Sequence, residues 1–256
     1  MAKLAVHQFP CLTDNYGVLI HDADSKLTAA IDAPEAGAVA AALGERGWVL
    51  THILTTHHHG DHTAGNLPLK RSSGCTIIGP RAEAAKIPGL DRAVGEGDRF
   101  AFGGHEVRAL DTPGHTAGHV SYWLPSEALA FVGDTLFAMG CGRVIEGTAP
   151  MMWGSLQKLM ALPEATAVYC GHEYTQANAK FALTIEPENA ALQQRAKETA
   201  QLRAAGEPTL PTTIGIELKT NPFLRPHIAA IQKRLGLEGK PAWEVFAAIR
   251  ERKNRS

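Results

Sequence analysis

The hexapeptide HHHGDH that begins at His57 places several metal-binding residue types side by side. It follows residues 49–56, a β-branched and apolar run that predicts a buried strand ending at the histidines. In an extended turn, His57 and His59 can point the same way, while Asp61 and His62 point at a second position nearby. Neutral imidazole and carboxylate groups are ligands that zinc and iron accept. One ion could not easily use all four donors from so short a loop, so the spacing favours two adjacent ions.

Three further candidate ligands each stand at the end of a predicted strand or in a turn. His115 lies in the turn TPGH, where glycine lets the backbone approach an ion closely. Asp134 ends the strand-like run at 130–133, and His172 ends the run at 167–171. A single strand-end aspartate is usually a turn or helix cap, and a single buried histidine usually belongs to the core. Four such positions in one order favour a shared metal centre.

In these residues and their order the chain resembles the metallo-β-lactamase superfamily, over residues 1 to about 172. The resemblance implies an α/β fold, a four-layer αββα sandwich, followed here by a smaller C-terminal α-helical domain. It implies two metal sites bridged by Asp134, the first made of His57, His59 and His115 and the second made of Asp61, His62 and His172. Three histidines near the ligands in sequence match no ligand position and are expected in structural roles or beside the ligands: His52, His58 and His119.

A closer resemblance links the chain to glyoxalase II, the hydroxyacylglutathione hydrolases. It rests on CGR-x-x-EGT from Cys141, GHEYT from Gly171, DNY from Asp14 and NPFLR from Asn221, so it spans essentially the whole chain. The chain departs from this family at Ile145, where an aromatic residue is usual. The resemblance implies hydrolysis of S-(2-hydroxyacyl)glutathione thioesters, with S-lactoylglutathione giving lactate and glutathione. This reaction is the second step of methylglyoxal detoxification.

Four residues are assigned to substrate binding through the same resemblance. Arg250 and Lys253, an Arg-x-x-Lys pair, would hold the glycine carboxylate of glutathione, and Arg143 and Tyr174 match further contact positions. Charge agrees with an acidic partner, because residues 219–256 carry nine Lys or Arg against three Glu. That excess could equally be an ordinary solvated end of the chain. Each contact between an exposed cation and a carboxylate is expected to contribute only about 1 kcal/mol.

The implied chemistry is that of a water molecule activated between two cations. A bridging hydroxide, oriented by Asp61 and Asp134, would attack the thioester carbonyl, and one metal would stabilise the oxyanion. No other catalytic residue is assigned, because a thiol pKa of about 8.5 makes the thiolate a fair leaving group without a strong general acid. Zinc is the expected metal, with iron or manganese as alternatives that the same ligands accept.

Composition predicts a globular protein, since 45% of the 256 residues are apolar. The absence of a long apolar stretch and of a secretion signal predicts a cytoplasmic protein with no membrane partner. The four cysteines show no CxxC spacing, which favours free thiols. We expect a catalytic domain at 1–172, an α-helical substrate-binding domain at 173–256, a monomer, and no nucleic-acid partner.

Periodicity and propensity predict the order of the secondary-structure elements. Strands are expected at 3–9, 16–22, 27–32, 48–55, 75–79, 106–111, 119–124, 128–133 and 166–171. Helices are expected at 35–46, 62–72, 150–161, 173–186, 188–205 and 238–252. The last third should contain a single short strand, near 213–218.

Other functions stay open at this point. A mononuclear-iron dioxygenase of the same fold, acting on glutathione persulfide, would share part of the ligand set but does not predict CGR-x-x-EGT or NPFLR. A nucleic-acid-processing member of the superfamily would suit the basic tail. However, the net charge is −1 for the whole chain and +6 for residues 219–256. Residues 1–218 therefore carry −7 and lack a broad phosphate-binding face. A nucleophilic role for Cys141 is disfavoured because this residue has no clear histidine partner. Hydrolysis of antibiotics is disfavoured because no secretion signal is evident.

Overall fold

A computed structural model describes residues 3–256 and divides them into two compact units. The first unit comprises the chain up to Asp111 together with Thr116–Gly133. The second comprises Thr112–His115 together with Asp134–Ser256. This division follows packing and does not decide the predicted domain boundary after residue 172, which stays a prediction.

A six-stranded sheet opens the first unit, with its strands in the order β1 (Ala5–Cys11), β2 (Asn15–Asp22), β3 (Leu27–Ile31), β4 (His52–Leu54), β5 (Thr76–Pro80) and β6 (Arg92–Val94). The first three strands are antiparallel, and the pairs from β3 to β6 are parallel. Parallel strands place their carboxyl ends at one edge of a sheet, so the loops after β3 and β4 start close together.

Three helices follow strands of this sheet: α1 (Ala36–Arg46), α2 (Gly60–Thr63) and α3 (Asn66–Ser73). Helix α1 ends where Gly47 adopts the left-handed conformation at φ 65° and donates its N–H to two carbonyls of the last turn. The apolar faces of α1 and α3 belong to one buried cluster with the sheet, which includes Leu19, Val39, Leu43, Ile53, Leu69 and Ile77. The packing of this cluster fixes the strand ends from which the histidine loop emerges.

The prediction of one continuous helix at 62–72 is wrong, because the structure has two helices there, α2 and α3. Gly65 N donates to the carbonyl oxygen of Ala33 at 2.8 Å. A Cβ at Gly65 would lie 2.9 Å from the same oxygen, so only glycine allows this close approach. The predicted strand at 48–55 is also shorter than expected, since only His52–Leu54 pairs as β4 and Val49 is 72% exposed.

Four antiparallel strands form a second sheet region of the first unit. They are β7 (Arg99–Phe102), β8 (His105–Asp111), β9 (Val120–Leu124) and β10 (Leu129–Phe131). Burial alternates along β7 and over most of β8, the period of two expected when one face of a strand packs against a core. Fully buried residues of this region include Val107, Ala109, Tyr122, Leu124 and Phe131.

The second unit is mainly helical. Its helices are α4 (Ala149–Met160), α5 (Thr175–Ile185), α6 (Ala190–Ala204), α7 (Ile214–Thr220), α8 (Ala229–Leu235) and α9 (Ala242–Asn254). Its strands form two short antiparallel pairs, β11 (Leu136–Phe137) with β12 (Gly140–Cys141), and β13 (Ala167–Tyr169) with β14 (Thr212–Thr213). The ring of Phe223 contacts those of Phe181 and Phe246 in its core. Within residues 3–256, no helix has the length and apolar character needed to cross a bilayer.

The predicted strand near 213–218 is wrong, because most of this segment forms α7. The β-branched run TTIGI favours a strand by local propensity. Thr213 instead caps the helix, accepting a hydrogen bond from Ile216 N at 3.2 Å on its Oγ1. Glu217 is then buried by the turn of the helix and accepts hydrogen bonds from Met139 N at 2.9 Å and from Thr212 Oγ1 at 2.7 Å. Long-range bonds to this carboxylate decide the conformation here.

Candidate metal centre and binding pocket

His57 and His59 bring two ring nitrogens together just beyond the carboxyl end of β4. His57 Nε2 lies 3.2 Å from His59 Nδ1. His57 is fully buried, and His59 is partly buried. Two nitrogens that bind one tetrahedral zinc ion at about 2.0–2.1 Å are roughly 3.3 Å apart. The spacing of this pair therefore fits one shared ion.

Asp61 and His62 form a second pair of donors, on α2. Asp61 Oδ2 lies 3.7 Å from His62 Nε2, with the aspartate side chain 42% exposed and the histidine buried. Asn15, from the DNY segment, donates from Nδ2 to the backbone oxygen of Asp61 at 3.1 Å and to its Oδ2 at 3.4 Å. Asn15 therefore orients the aspartate, a role that the sequence analysis did not assign.

Asp32 is a further residue of this region that the sequence analysis missed. It follows β3, is 5% exposed and has a positive φ of 57°. Its carboxylate accepts hydrogen bonds from Thr56 N at 2.7 Å and from Thr56 Oγ1 at 2.9 Å, and it lies 2.8 Å from His62 Nδ1. The bond to Nδ1 fixes the ring and would leave Nε2 as the nitrogen available to a metal. The available signal was a strand-like run ending in an aspartate, the same pattern that marked Asp134.

The three non-ligand histidines that stand near the ligands in sequence bond or pack within the first unit. His119 is fully buried and stacks on His57, with ring centroids 4.9 Å apart. His52 packs edge-on against an aromatic ring of β7, and burial lowers its pKa. His58 turns to Glu83, whose Oε2 lies 2.8 Å from both its backbone N and its Nδ1.

Asp134 lies between the two candidate histidine ligands of the second unit. Its Oδ2 is 3.5 Å from His115 Nε2 and 3.4 Å from His172 Nε2. All three residues are buried, with exposures of 4–6%. A carboxylate shared by two ions must approach a ligand of each ion, and these nearly equal distances fit that requirement.

Backbone contacts near His115 explain why position 142 of the CGR-x-x-EGT segment is glycine. His115 Nδ1 lies 2.9 Å from the backbone oxygen of Arg143, and the backbone oxygen of His115 accepts from Glu146 N at 3.2 Å. A Cβ at Gly142 would lie 1.9 Å from the backbone oxygen of Asp134. The segment can therefore pack against the ligands of this unit only with glycine at that position.

A cavity of about 340 Å³ in the second unit brings together predicted metal ligands and predicted substrate-binding residues. Its polar lining consists of His115, Asp134, Arg143, Tyr174, Asn178, Arg250, Lys253 and Asn254. Three of these side chains are cationic and one is a carboxylate, a balance that favours an acidic ligand. A second cavity of about 390 Å³, near α6 and α7, contains none of the predicted site residues. We therefore take the smaller cavity as the candidate substrate pocket.

Tyr174 forms an aromatic wall beside a candidate ligand. Its ring stacks on that of His172, with centroids 4.7 Å apart and planes 2° from parallel. Phe137 meets the Tyr174 ring edge-on at 5.2 Å. The stacking restrains the orientation of the histidine ring while one face of the tyrosine remains partly exposed.

Arg250 and Lys253 lie one turn apart on α9 and both line the candidate pocket. Lys253 Nζ donates to the backbone oxygen of Ala177 at 3.2 Å, and burial, with Arg250 as a further cause, lowers the pKa of Lys253. The expectation of two exposed cations is wrong for Arg250, which is only 7% exposed. Its Nη1 donates to the backbone oxygen of Cys141 at 2.8 Å, so the guanidinium is already part of the packing.

Cys141 also lines the candidate pocket, but its thiol is held in the protonated form. The residue is 4% exposed, and burial raises its pKa to about 11 despite the nearby Arg250. A thiol that is protonated at neutral pH is a weak nucleophile. The metal-ligand residues therefore remain the candidate reactive centre of this pocket.

Comparison with known proteins identifies the family. Residues 24–172 match the model of the metallo-beta-lactamase superfamily, and residues 173–256 match that of the hydroxyacylglutathione hydrolase C-terminus. A hydroxyacylglutathione hydrolase from Brucella ovis is 60% identical over 252 residues, which cover 98% of this chain and 98% of that protein. The chain belongs to the hydroxyacylglutathione hydrolase family. The glyoxalase II resemblance inferred from the short motifs is thereby confirmed.

Solved structures confirm the predicted fold class of this hydroxyacylglutathione hydrolase family member. ETHE1 from Myxococcus xanthus has a TM-score of 0.67 at 26% identity, covering 97% of this chain and 98% of that chain. A protein called TTHA1623, whose crystal structure is of a di-iron-bound form, has a TM-score of 0.61 at 25% identity, covering 85% and 98%. The helical C-terminal region is confirmed by α5 to α9.

Proposed function

We propose that this chain hydrolyses S-(2-hydroxyacyl)glutathione thioesters, with S-lactoylglutathione giving lactate and glutathione. Its membership of the hydroxyacylglutathione hydrolase family supports a thioester hydrolase. The observation that carries the proposal is the pocket of the second unit. There, two residues of metal-ligand type share one cavity with the side chains suited to glutathione: Arg143, Tyr174, Arg250 and Lys253.

The family and the histidine and carboxylate donors indicate that the protein binds divalent metal. We assign a first ion to His57, His59 and His115, a second to Asp61, His62 and His172, and a bridging role to Asp134. Distances within each unit support this assignment, since His57 and His59 nitrogens are 3.2 Å apart and Asp134 Oδ2 lies within 3.5 Å of two histidine nitrogens. The di-iron form of the relative TTHA1623 agrees with two adjacent ions.

When bound, the metal ions supply Lewis acidity that makes hydroxide available near neutral pH and stabilises an oxyanion. The carboxylates of Asp61 and Asp134 orient the attacking water by accepting its hydrogen bonds. Asn15 and Asp32 restrain Asp61 and His62 respectively, so these donors need little reorganisation. The glutathione thiolate then leaves without a protein acid, because its pKa is about 8.5.

Glutathione is held, in this proposal, through its carboxylates and its peptide. Lys253 and Arg143 supply accessible cationic groups at the pocket. The guanidinium of the buried Arg250 adds to the positive potential there. Tyr174 presents its ring and hydroxyl beside His172. Arg250 and Lys253 would hold the glycine carboxylate far from the reacting carbonyl, so they should contribute binding that is equal in substrate and transition state.

Three further assignments remain proposals of the same account. We propose zinc as the metal, with iron or manganese accepted by the same donors. We propose a monomer without a nucleic-acid partner. We also propose a cytoplasmic location, where the four buried cysteines would remain thiols.

The test is hydrolysis of S-lactoylglutathione by purified protein, with elemental analysis of the same sample. We expect release of lactate and glutathione in equal amounts, at two metal ions per chain, with no consumption of oxygen. Glutathione persulfide serves as the matched alternative substrate. Oxygen consumption with the persulfide and no hydrolysis of the thioester would replace this proposal by that of a dioxygenase.

A further inference from the structure

Glu83 is a buried carboxylate that bonds two separate loops of the first unit. It lies in the 3-10 helix Arg81–Lys86 and is 3% exposed. Its Oε2 accepts a hydrogen bond from His58 N at 2.8 Å and lies 2.8 Å from His58 Nδ1. Its Oε1 accepts from Gly118 N at 2.9 Å. A single side chain therefore connects the histidine loop after β4 with the loop before β9.

The first connection sets the direction of two candidate ligands. Alternate side chains of an extended segment point to opposite faces, and His59 has the extended angles φ −59° and ψ 148°. His58, bonded to Glu83, occupies one face. His57 and His59 consequently share the other face, where their ring nitrogens lie 3.2 Å apart.

The second connection depends on a close approach that excludes a side chain. A Cβ at Gly118 would lie 2.7 Å from Ala82 Cβ and 2.7 Å from Glu83 Cγ. The next residue, His119, stacks on His57 with centroids 4.9 Å apart. Glu83 thus restrains His57 in two ways, through the chain at His58 and through the stacked ring of His119.

We propose that Glu83 is a positioning residue that sets the metal affinity of the His57 and His59 pair. The inference rests on the proposed assignment of these two histidines as ligands. Without the carboxylate, a bound ion would have to order the loop itself, and that lost conformational entropy weakens binding. Removing a group that orients metal ligands typically costs about 10–100-fold in metal affinity.

The sharpest variant is Glu83→Gln, which keeps the size of the side chain. Its amide nitrogen is a donor, so either His58 N or Gly118 N must face another donor. For metal-free protein in competition with a chromophoric chelator, we expect the zinc affinity of one equivalent to fall about 10–100-fold. At saturating zinc, KM for the thioester should equal that of the parent protein. Gly118→Ala should produce the same selective loss, because its Cβ displaces the 3-10 helix.

Glu127→Gln is the matched control. Glu127 is another carboxylate of the first unit, with a side chain 9% exposed, that accepts from Leu4 N at 3.3 Å and lies 2.9 Å from His105 Nδ1. Glu127→Gln should lower Tm and leave the affinities for both zinc ions unchanged. If Glu83→Gln also lowers Tm with both affinities unchanged, its role is only structural and the inference fails.

The parent protein separates this inference from the proposed function. Zinc binding without thioester hydrolysis would reject the hydrolase and, with the affinity loss in Glu83→Gln, support the positioning role. A parent protein that binds neither zinc nor iron nor manganese would overturn both.

Discussion

At the scale of single residues, Asp134 is the proposed bridging ligand of the second unit. Its Oδ2 approaches the Nε2 atoms of His115 and His172 at nearly equal distances. Sequence patterns marked these three residues only separately, His115 in a turn and the other two at strand ends. Their convergence on one oxygen depends on backbone contacts, such as that between His115 Nδ1 and the Arg143 carbonyl, which no motif spacing encodes.

Asp134→Ala should remove most of the metal and most of the activity. Without the bridging carboxylate, two adjacent cations repel each other, and Lewis-acid stabilisation worth several kcal/mol is lost. Since about 1.4 kcal/mol corresponds to a factor of ten, kcat/KM should fall at least about 100-fold. Elemental analysis and steady-state kinetics check this, with Asp98→Ala in a partly exposed ion pair as the control. Near-normal metal content and turnover would show that Asp134 does not bridge.

Lys253→Met should raise KM for the glutathione thioester several-fold and leave kcat unchanged, because a partly exposed charge pair is worth about 1 kcal/mol. Burial lowers the pKa of Lys253, so the ammonium loses its charge at lower pH than an ordinary lysine. In the parent protein, KM should therefore begin to rise with increasing pH before the pH reaches about 10.4, the pKa of an ordinary lysine. The variant should lack this rise, and Lys233→Met on α8 should keep it. A fall in kcat at constant KM would reject the binding role.

Arg250→Ala is a less selective test, because Arg250 also bonds the Cys141 carbonyl.

Ile145→Tyr should lower KM a few-fold and keep kcat within about a factor of two. A tyrosine hydroxyl can donate a hydrogen bond worth about 1 kcal/mol, which isoleucine cannot provide. Ile145 is 52% exposed, so a larger side chain meets no packed core and Tm should not change. Kinetics with a thermal melt decide the matter, and an unchanged KM would mean that the substrate does not reach this position.

At the scale of elements, the short hairpin β11–β12 is held by α7 and the residue after it. Asn221 Nδ2 donates to the backbone oxygens of Phe137 at 3.2 Å and Gly140 at 2.9 Å, and to Glu217 Oε2 at 2.9 Å. The hairpin begins two residues after Asp134. The NPFLR segment therefore has a structural role in fixing the chain that leaves the candidate bridging ligand.

Asn221→Ala should lower the free energy of unfolding by about 2–3 kcal/mol, since it leaves buried carbonyls without a donor. Chemical denaturation measures this loss. Asn189→Ala offers a comparison, because its Nδ2 bonds to Lys219 O and Glu186 at the surface. It should cost about 1 kcal/mol as a lost helix cap. Equal losses in the two variants would show that the hairpin does not depend on Asn221.

Sequence reasoning located most elements before residue 172 because alternation, glycine and apolar runs are local signals. It failed where distant groups decide the conformation. The break at Gly65 comes from a bond to Ala33, and α7 replaces a predicted strand because Glu217 bonds residues far along the chain. Asp32 and Glu83 were missed for the same reason, since their partners lie 24 or more positions away.

At the scale of the whole molecule, the order of the motifs identified the fold class and family because the ligand-type residues stand at strand ends. Charge adds a second global feature. Residues 219–256 carry nine Lys or Arg against three Glu and contain both Arg250 and Lys253. The region that supplies two of the three cationic side chains of the candidate pocket is therefore also the cationic part of an otherwise acidic chain, which favours the approach of an anionic thioester.

The most direct test of the central claim is a zinc titration of metal-free protein, with bound zinc and S-lactoylglutathione hydrolysis measured at every step. Bound zinc and hydrolysis should rise together and level off at two equivalents per chain. Full activity at one equivalent would contradict the second site and its ligands Asp61, His62 and His172. No hydrolysis at any loading would contradict the proposed function itself.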